Sequence, residues 1–304
     1  MIIFAPCSLF PFIFVTILYT IPMNQTFEQL KEHNWTNFIT HHLRNWYGSW
    51  TIYSPEGEVM ESFVGSRCSI INPEQTQITQ TNVYMYDNGT EEEKVYQNTP
   101  DSLINGLADK TAQASFMYMF KKGSAIWTVN RFEPGELFAV EFWFRYQELR
   151  HTMLVMYNSD GELTKTVSVR EEDLQKPCDH WTLNPQLIPD RDILDGEEGL
   201  AITLTPVTQL SQPTPTHLAW EYPDHQTFYY PDGISLSYPP KLKPEMSFVV
   251  IGDWQVNPDI RQQLLVEYNS SGELSGLTLK SNQPEMGRWG DGEIGRWGDR
   301  EMGR

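Results

Sequence analysis

The chain is short of cations: 22 Lys plus Arg stand against 40 Asp plus Glu in 304 residues, a formal net charge of -18. Proteins that bind a phosphate backbone do so with clustered cationic groups that displace counterions, so nucleic acid is excluded as the main partner. Cysteine is scarce as well. Cys7, Cys68 and Cys178 are all there is, too few for a disulfide scaffold, and a reducing, cytoplasmic setting is the simpler expectation. Histidines 33, 41 and 42 lie close together, but no His-Glu-x-x-His or Cys-x-x-Cys spacing exists, so no metal is implied. A phosphate-loop pattern is also missing. Cys178-Asp179-His180 sets a thiol near an imidazole, in a stretch with no regular element to hold a nucleophile and base in register. No catalytic residue and no cofactor is assigned.

Residues 1–22 carry no charge and reach the length of a membrane span, yet Pro6, Pro11 and Pro22 interrupt them. A cationic n-region and a small-residue cleavage site, the marks of a secretory signal, are absent. The segment reads as an over-long translated start, with an anchor as the alternative, and a membrane is not an expected partner. Residues 283–304 hold two near-identical octets, from Gly287 and from Gly295, with neither helix nor strand periodicity, and read as a low-complexity repeat tail. Removing the tail's five acids and four arginines leaves -17 on the body, so the acidity belongs to the fold.

What the body has in abundance is aromatic and β-branched residues. One amphipathic helix is expected first, because Phe27, Leu30, Phe38, Ile39, Leu43 and Trp46 recur at helical spacing and Thr26 with Gln29 has the form of a capping box. Short alternating runs follow, separated by turn signals at Pro55-Glu56-Gly57, Asn88-Gly89, Ser159-Asp160-Gly161 and Pro231-Asp232-Gly233. The acid run Glu91-Glu92-Glu93 reads as a solvated edge. The body is nearly all β.

It also contains a repeat. Residues 143–163 align with 254–274 at an offset of 111, pairing Trp143 with Trp254, Arg150 with Arg261, His151 with Gln262, Tyr157 with Tyr268 and Gly161 with Gly272. Upstream, Gly123, Pro134 and Phe138 match Gly233, Pro244 and Phe248 at 110, and a bulge near Gly252 would absorb the extra residue. A repeat this long reads as two related domains rather than a solenoid. A larger domain is placed at 24–178, a Pro-rich linker at 179–194 and a smaller domain at 195–282. Each has enough short strands to form a barrel, whose closure would dispose of exposed edges.

At the helix-to-strand junction stands Gly48-Ser49-Trp50, where Gly allows a tight turn and Trp can plug a barrel end against the helix. This resembles the Gly-x-Trp start of lipocalin-like (calycin) barrels, and the resemblance implies an Arg from a late strand over the Trp; Arg170 is the candidate. The wider pattern of Trp46-Tyr47-Gly48-Ser49-Trp50, Tyr53-Ser54-Pro55-Glu56-Gly57, Phe144-Arg145 and Glu148-Leu149-Arg150-His151 resembles an uncharacterised cyanobacterial two-domain family. That family is similar to calycin barrels, a group that includes the bilin lyases. The expected fold is therefore mainly β: two related lipocalin-like antiparallel β-barrels behind an N-terminal helix.

The resemblance implies an interior that holds a hydrophobic or amphipathic small molecule such as a tetrapyrrole, carotenoid or lipid. Alternation on the strand over 137–146 puts Phe138, Val140, Phe142, Phe144 and Tyr146 on one wholly apolar face, expected to point inward, with Trp143 and Arg145 outward. With Trp127, Arg131, His151 and Tyr157 from neighbouring strands, this makes an aromatic wall with a few polar groups. Arg131 and His151 would orient a carboxylate or carbonyl, while Arg150 and Arg261 are expected on the solvent side, where their recurrence reads as a salt bridge or an interdomain contact and not as chemistry. Two alternatives stand beside a binding protein: a chromophore lyase or isomerase, and a structural or assembly protein whose acidic surface meets a basic protein partner.

Overall fold

The computed structural model describes residues 23–105, 115–175, 179–189, 197–204, 211, 213–218, 222 and 224–282. Both ends of the chain and Cys178, on which expectations were placed above, lie outside them. Helix α1 (Met23–His41) opens the described chain. It starts three residues before Thr26, so that residue lies inside the helix and does not cap it. Nine strands follow: β1 (Trp46–Tyr53), β2 (Val59–Ile71), β3 (Ile78–Met85), β4 (Glu91–Asn98), β5 (Ser115–Met119), β6 (Ala125–Val129), β7 (Phe138–Tyr146), β8 (Leu149–Tyr157) and β9 (Leu163–Asp173), with a short α2 (Pro100–Asn105) after β4. The rest is β10 (Glu197–Leu204), β11 (Thr214–Leu218), β12 (Gln226–Tyr230), β13 (Ile234–Tyr238), β14 (Phe248–Asn257), β15 (Ile260–Tyr268) and β16 (Leu274–Ser281).

The strands form two antiparallel sheets, in the orders β4-β3-β2-β1-β9-β8-β7-β6-β5 and β11-β10-β16-β15-β14-β13-β12. From β2 to β5 the first order matches the second strand for strand; β3 and β4 are extra. Neither sheet closes into a barrel, because β4 does not pair with β5 nor β11 with β12. The expected closure is thus corrected, and the reason lies in the apolar faces. Instead of each curling around its own interior, they meet each other: Phe138, Phe142, Phe144, Met153 and Tyr157 of the first sheet share one core with Val250, Trp254, Leu264, Val266 and Tyr268 of the second. Phe138 packs edge-on to both Phe248 and Tyr268, at ring-centre distances of 5.6 and 5.2 Å.

The join is reciprocal. Leu242 N donates to Gly161 O at 2.8 Å, and Phe132 N donates to Gly272 O at 2.7 Å. Tyr157 OH donates to Pro239 O, and Tyr268 OH to Val129 O. The two glycines sit at φ +72° and +77°, and a Cβ on either would meet the facing carbonyl oxygen at 2.3 or 2.5 Å, so these hairpins need Gly for conformation and for room. Each hairpin is shaped by the Asn before it: Asn158 Oδ1 accepts from Asp160 N and Glu162 N, and Asn269 Oδ1 from Ser271 N and Glu273 N. Such pairwise exchange is what a two-fold-related interface produces.

Strand pairing also places the extra residue. Phe138 faces Tyr157 as Phe248 faces Tyr268, and Phe144 faces His151 as Trp254 faces Gln262. Trp254 therefore corresponds to Phe144 and not to Trp143, and the shift lies between Gln255 and Asn257 beside the turn, not near Gly252. Residues 179–189 run back over the molecule: Trp181 stacks on Trp254 at 5.7 Å, and Pro185 O accepts from Tyr53 OH at 2.6 Å.

Candidate functional site on the inner face of the first sheet

Side chains of Trp46, Trp50, Arg67, Trp127, Glu141, Trp143, Arg145, Arg150, Thr152 and Glu171 lie on the face of the first sheet turned away from the second, as register and alternation require. Helix α1 covers one end of this face. Its Trp35 and Phe38 pack with Ile78, Met117, Ala125 and Trp143. Trp35 Nε1 donates to Gln75 O in the β2–β3 turn, while Asn34 exchanges hydrogen bonds with Met117 O and Met119 N on edge strand β5. One helix thus reaches strands from both ends of the order and shields an exposed edge. Arg67 on β2 also acts electrostatically on Glu141 on β7. Flat pairing at the usual strand spacing would hold those two strands about 19 Å apart, so the sheet curls toward this side.

An ion cluster forms its floor. Arg150 Nε donates to Glu171 Oε2 at 2.7 Å, and Arg67 Nε lies 3.0 Å from Glu171 Oε1, close but not aligned as a hydrogen bond. Burial alone would raise the Glu171 carboxyl, but the two guanidinium groups beside it bring it below the ordinary range. Arg150 lies between two indoles, 4.4 Å from the Trp46 ring centre and 5.2 Å from that of Trp143, and Arg67 lies over Trp50. Glu141 takes the opposite direction: burial raises its carboxyl, with Arg67, the Trp143 indole and Arg150 pulling it down. Arg150 Nη2, Thr152 Oγ1 and Trp127 Nε1 are buried and have no hydrogen-bond partner among the described residues. Arg150 is 2% exposed and Thr152 1%.

The residues expected to line one cavity are divided among three places. Phe142, Phe144, His151 and Tyr157 are together, fully buried between the sheets. His151 Nε2 lies 3.1 Å from Ser168 Oγ, and burial, with Arg170 nearby, holds the imidazole well below its usual range, so it is neutral. Trp127 is on the inner face, 6.4 Å from Trp143. Arg131 is half exposed and pairs with Glu133 at 2.7 Å, and Tyr146 lies at the rim, accepting from Gln147. Gly48 makes no turn; it sits within β1, where a Cβ would be 2.0 Å from Arg170 O. Trp50 stacks on Phe63 and is covered by Arg67, not by Arg170. Arg170 pairs in register with Ser49, hence points to the opposite face, where it holds Asp232 of the second sheet at 2.7 Å. Arg150 and Arg261, expected in solvent, are among the most buried side chains present.

Sequence reasoning gave no role to Arg67, Glu141, Trp143 or Glu171. The recurrence of Arg150 and Arg261 reads as a salt bridge, and both form one, but buried and not on the solvent side.

The arrangement of two curled sheets behind a helix is one that known proteins share. Residues 31–176 match the family described as Domain of unknown function (DUF3598), N-terminal. The matched residues run from within α1 to just past β9 and so take in the whole first sheet. Beyond it, residues 194–283 match the family described as Biogenesis factor required for ATP synthase 1, C-terminal domain. A crystal structure of a protein of unknown function from the DUF3598 family of Nostoc punctiforme PCC 73102 is 18% identical, with TM-score 0.63 over 82% of this chain and 97% of that one. At that identity the likeness concerns fold alone, and it extends through both sheets. A mutant porin of Rh. blastica, 9% identical over 78% of this chain and 98% of that one, has TM-score 0.19 and carries no argument. No curated protein matches the chain. Buried polar atoms without a hydrogen-bond partner occur on the inner face of the first sheet, at Arg150, Thr152, Trp127 and Trp143, and also between the sheets, at His151, Tyr238 and Trp254.

Proposed function

We propose that this chain is a binding protein for a hydrophobic or amphipathic small molecule, a tetrapyrrole, carotenoid or lipid, held on the inner face of the first sheet. The observation that carries the reading is the set of buried, unpartnered polar atoms on Arg150, Thr152 and Trp127 among indole rings. Burying such atoms without a partner costs roughly 1–3 kcal/mol each, which a ligand's acceptors would recover. The aromatic face between the sheets is the shared core of the two sheets. We read the matched strand orders as an internal duplication in which one copy kept indole rings around its buried arginine. Absorption and mass spectra of the protein purified from its host test the proposal: a stoichiometric pigment or lipid supports it, and a compound-free protein whose tryptophan fluorescence ignores every such ligand overturns it. A lyase or isomerase would need an acid or base on this same face, and Glu141, with its raised carboxyl, would be that group.

A second reading is favoured by the match of residues 194–283 to a biogenesis-factor domain. In it the chain is an assembly protein whose acidic exterior meets a basic partner. A partner captured at low salt and lost at high salt, with no small molecule bound, would favour that reading over the first.

A further inference from the structure

We propose that the inner face of the first sheet selects a ligand with a carboxylate head on an apolar body, the head held by Arg150 and Thr152. The inference rests on the binding reading above and adds the chemistry of the head group. Arg67, Arg145 and Arg150 share this face with Glu141, Glu171 and Asp173, of which Glu171 is paired with Arg150 and Arg67 and Asp173 with Arg44. Arg145 spends its donors on His41 O and Leu149 O, and Arg67 is committed to Glu171 and Trp50. Arg150 is different, because its Nε serves Glu171 while Nη2 is unspent.

Thr152 stands two residues along the same strand on the same face, with its hydroxyl also unspent. One cationic donor beside one hydroxyl suits a carboxylate, whose two oxygens accept without bringing a proton of their own. Beyond the head lie Trp50, Trp127 and Trp143, with Leu154 and Val169 on the same face, an apolar track with two further donors at Trp127 Nε1 and Trp143 Nε1. The acidic exterior repels such a ligand at long range, and the site recovers it only where the arginines are reached, so selection occurs at the floor.

The test uses the full chain and two matched pairs of probes, palmitate against hexadecanol and biliverdin against its dimethyl ester, titrated by quenching of tryptophan fluorescence. Preference for the acid by about tenfold is expected in the pair that binds, the size of one charge-assisted hydrogen bond. The variant Thr152→Val, which leaves the Arg150–Glu171 pair in place, should reduce that preference several-fold with an unchanged circular dichroism spectrum. Equal affinity for acid and neutral partner overturns the head-group inference and leaves the binding reading standing. Binding by neither pair overturns both.

Discussion

Two sheets with one strand order have used the same buried arginine differently. In the first, Arg150 takes its acid from β9, Glu171, and its own strand neighbourhood is indole: Trp46, Trp143 and, further along, Trp127. In the second, Arg261 takes its acid from β14, where Asp253 occupies the position of Trp143, and Gln263 donates to the same carboxylate. Moving the acid across the arginine puts Asp253 and Gln263 where the first sheet has Trp143 and Thr152, beside an apolar cluster of Ile251, Leu265 and Tyr229. The strand order is the same while the surroundings of the arginine differ. A mirror of this difference lies between the sheets, where Phe142 of the first packs against Gly252, its own counterpart, whose added Cβ would be 2.9 Å from the ring.

The comparison can be broken most sharply at the arginines. Arg261→Met leaves Asp253 buried beside an apolar side chain and should cost about 3–5 kcal/mol in urea unfolding. Arg150→Met should cost distinctly less, because Arg67 remains with Glu171; equal losses would mean the two ion clusters are equivalent after all. Next in size is the join. Gly252→Ala should destabilise by about 1–3 kcal/mol through overpacking against Phe142, and circular dichroism and tryptophan fluorescence should report one shared transition. Two separated transitions would show that the sheets have independent cores.

The smallest effect is a pH dependence. His151 is buried and neutral, so its folded pKa lies below the ordinary 6.5. Above that value both states are neutral and nothing is lost; as pH falls through 6.5 the unfolded chain takes up the proton and stability drops, by at most about 1.4 kcal/mol per pH unit from this one group. His151→Gln, which copies Gln262 of the second sheet, should flatten the slope below pH 6.5, and an unchanged slope would place its origin elsewhere, with the similarly buried His42 as the first alternative.

Much of the fold was legible in the residues. Alternation and turn chemistry located the strands, and the Tyr-Asn-Ser-x-Gly-Glu-Leu hairpins marked the repeat and proved to be the places where the halves exchange hydrogen bonds. The candidate site was far less legible. A strand with one wholly apolar face over Phe138, Phe142 and Phe144 and one mixed face over Glu141, Trp143 and Arg145 has two ways to be buried, and its periodicity is the same for both. Burial of the apolar face was a sound inference; what buries it was not in the pattern, because a barrel interior and a second sheet offer the same solvent-free surroundings. Arg150 was misplaced for the matching reason, since an arginine on a strand is read as exposed unless its acid is known, and Glu171 is 21 residues away.

By itself, then, the sequence determined local matters: one helix, short antiparallel strands, Gly at the two reciprocal hairpins, and a body whose acidity is its own. These follow from steric and hydrogen-bonding rules that act over a few residues. Which faces met, which carboxylate each arginine found, and which indoles were left with a spare donor were decided only when distant strands came into register. Those outcomes depend on contacts between residues far apart in the chain, and nothing in a local pattern encodes the partner.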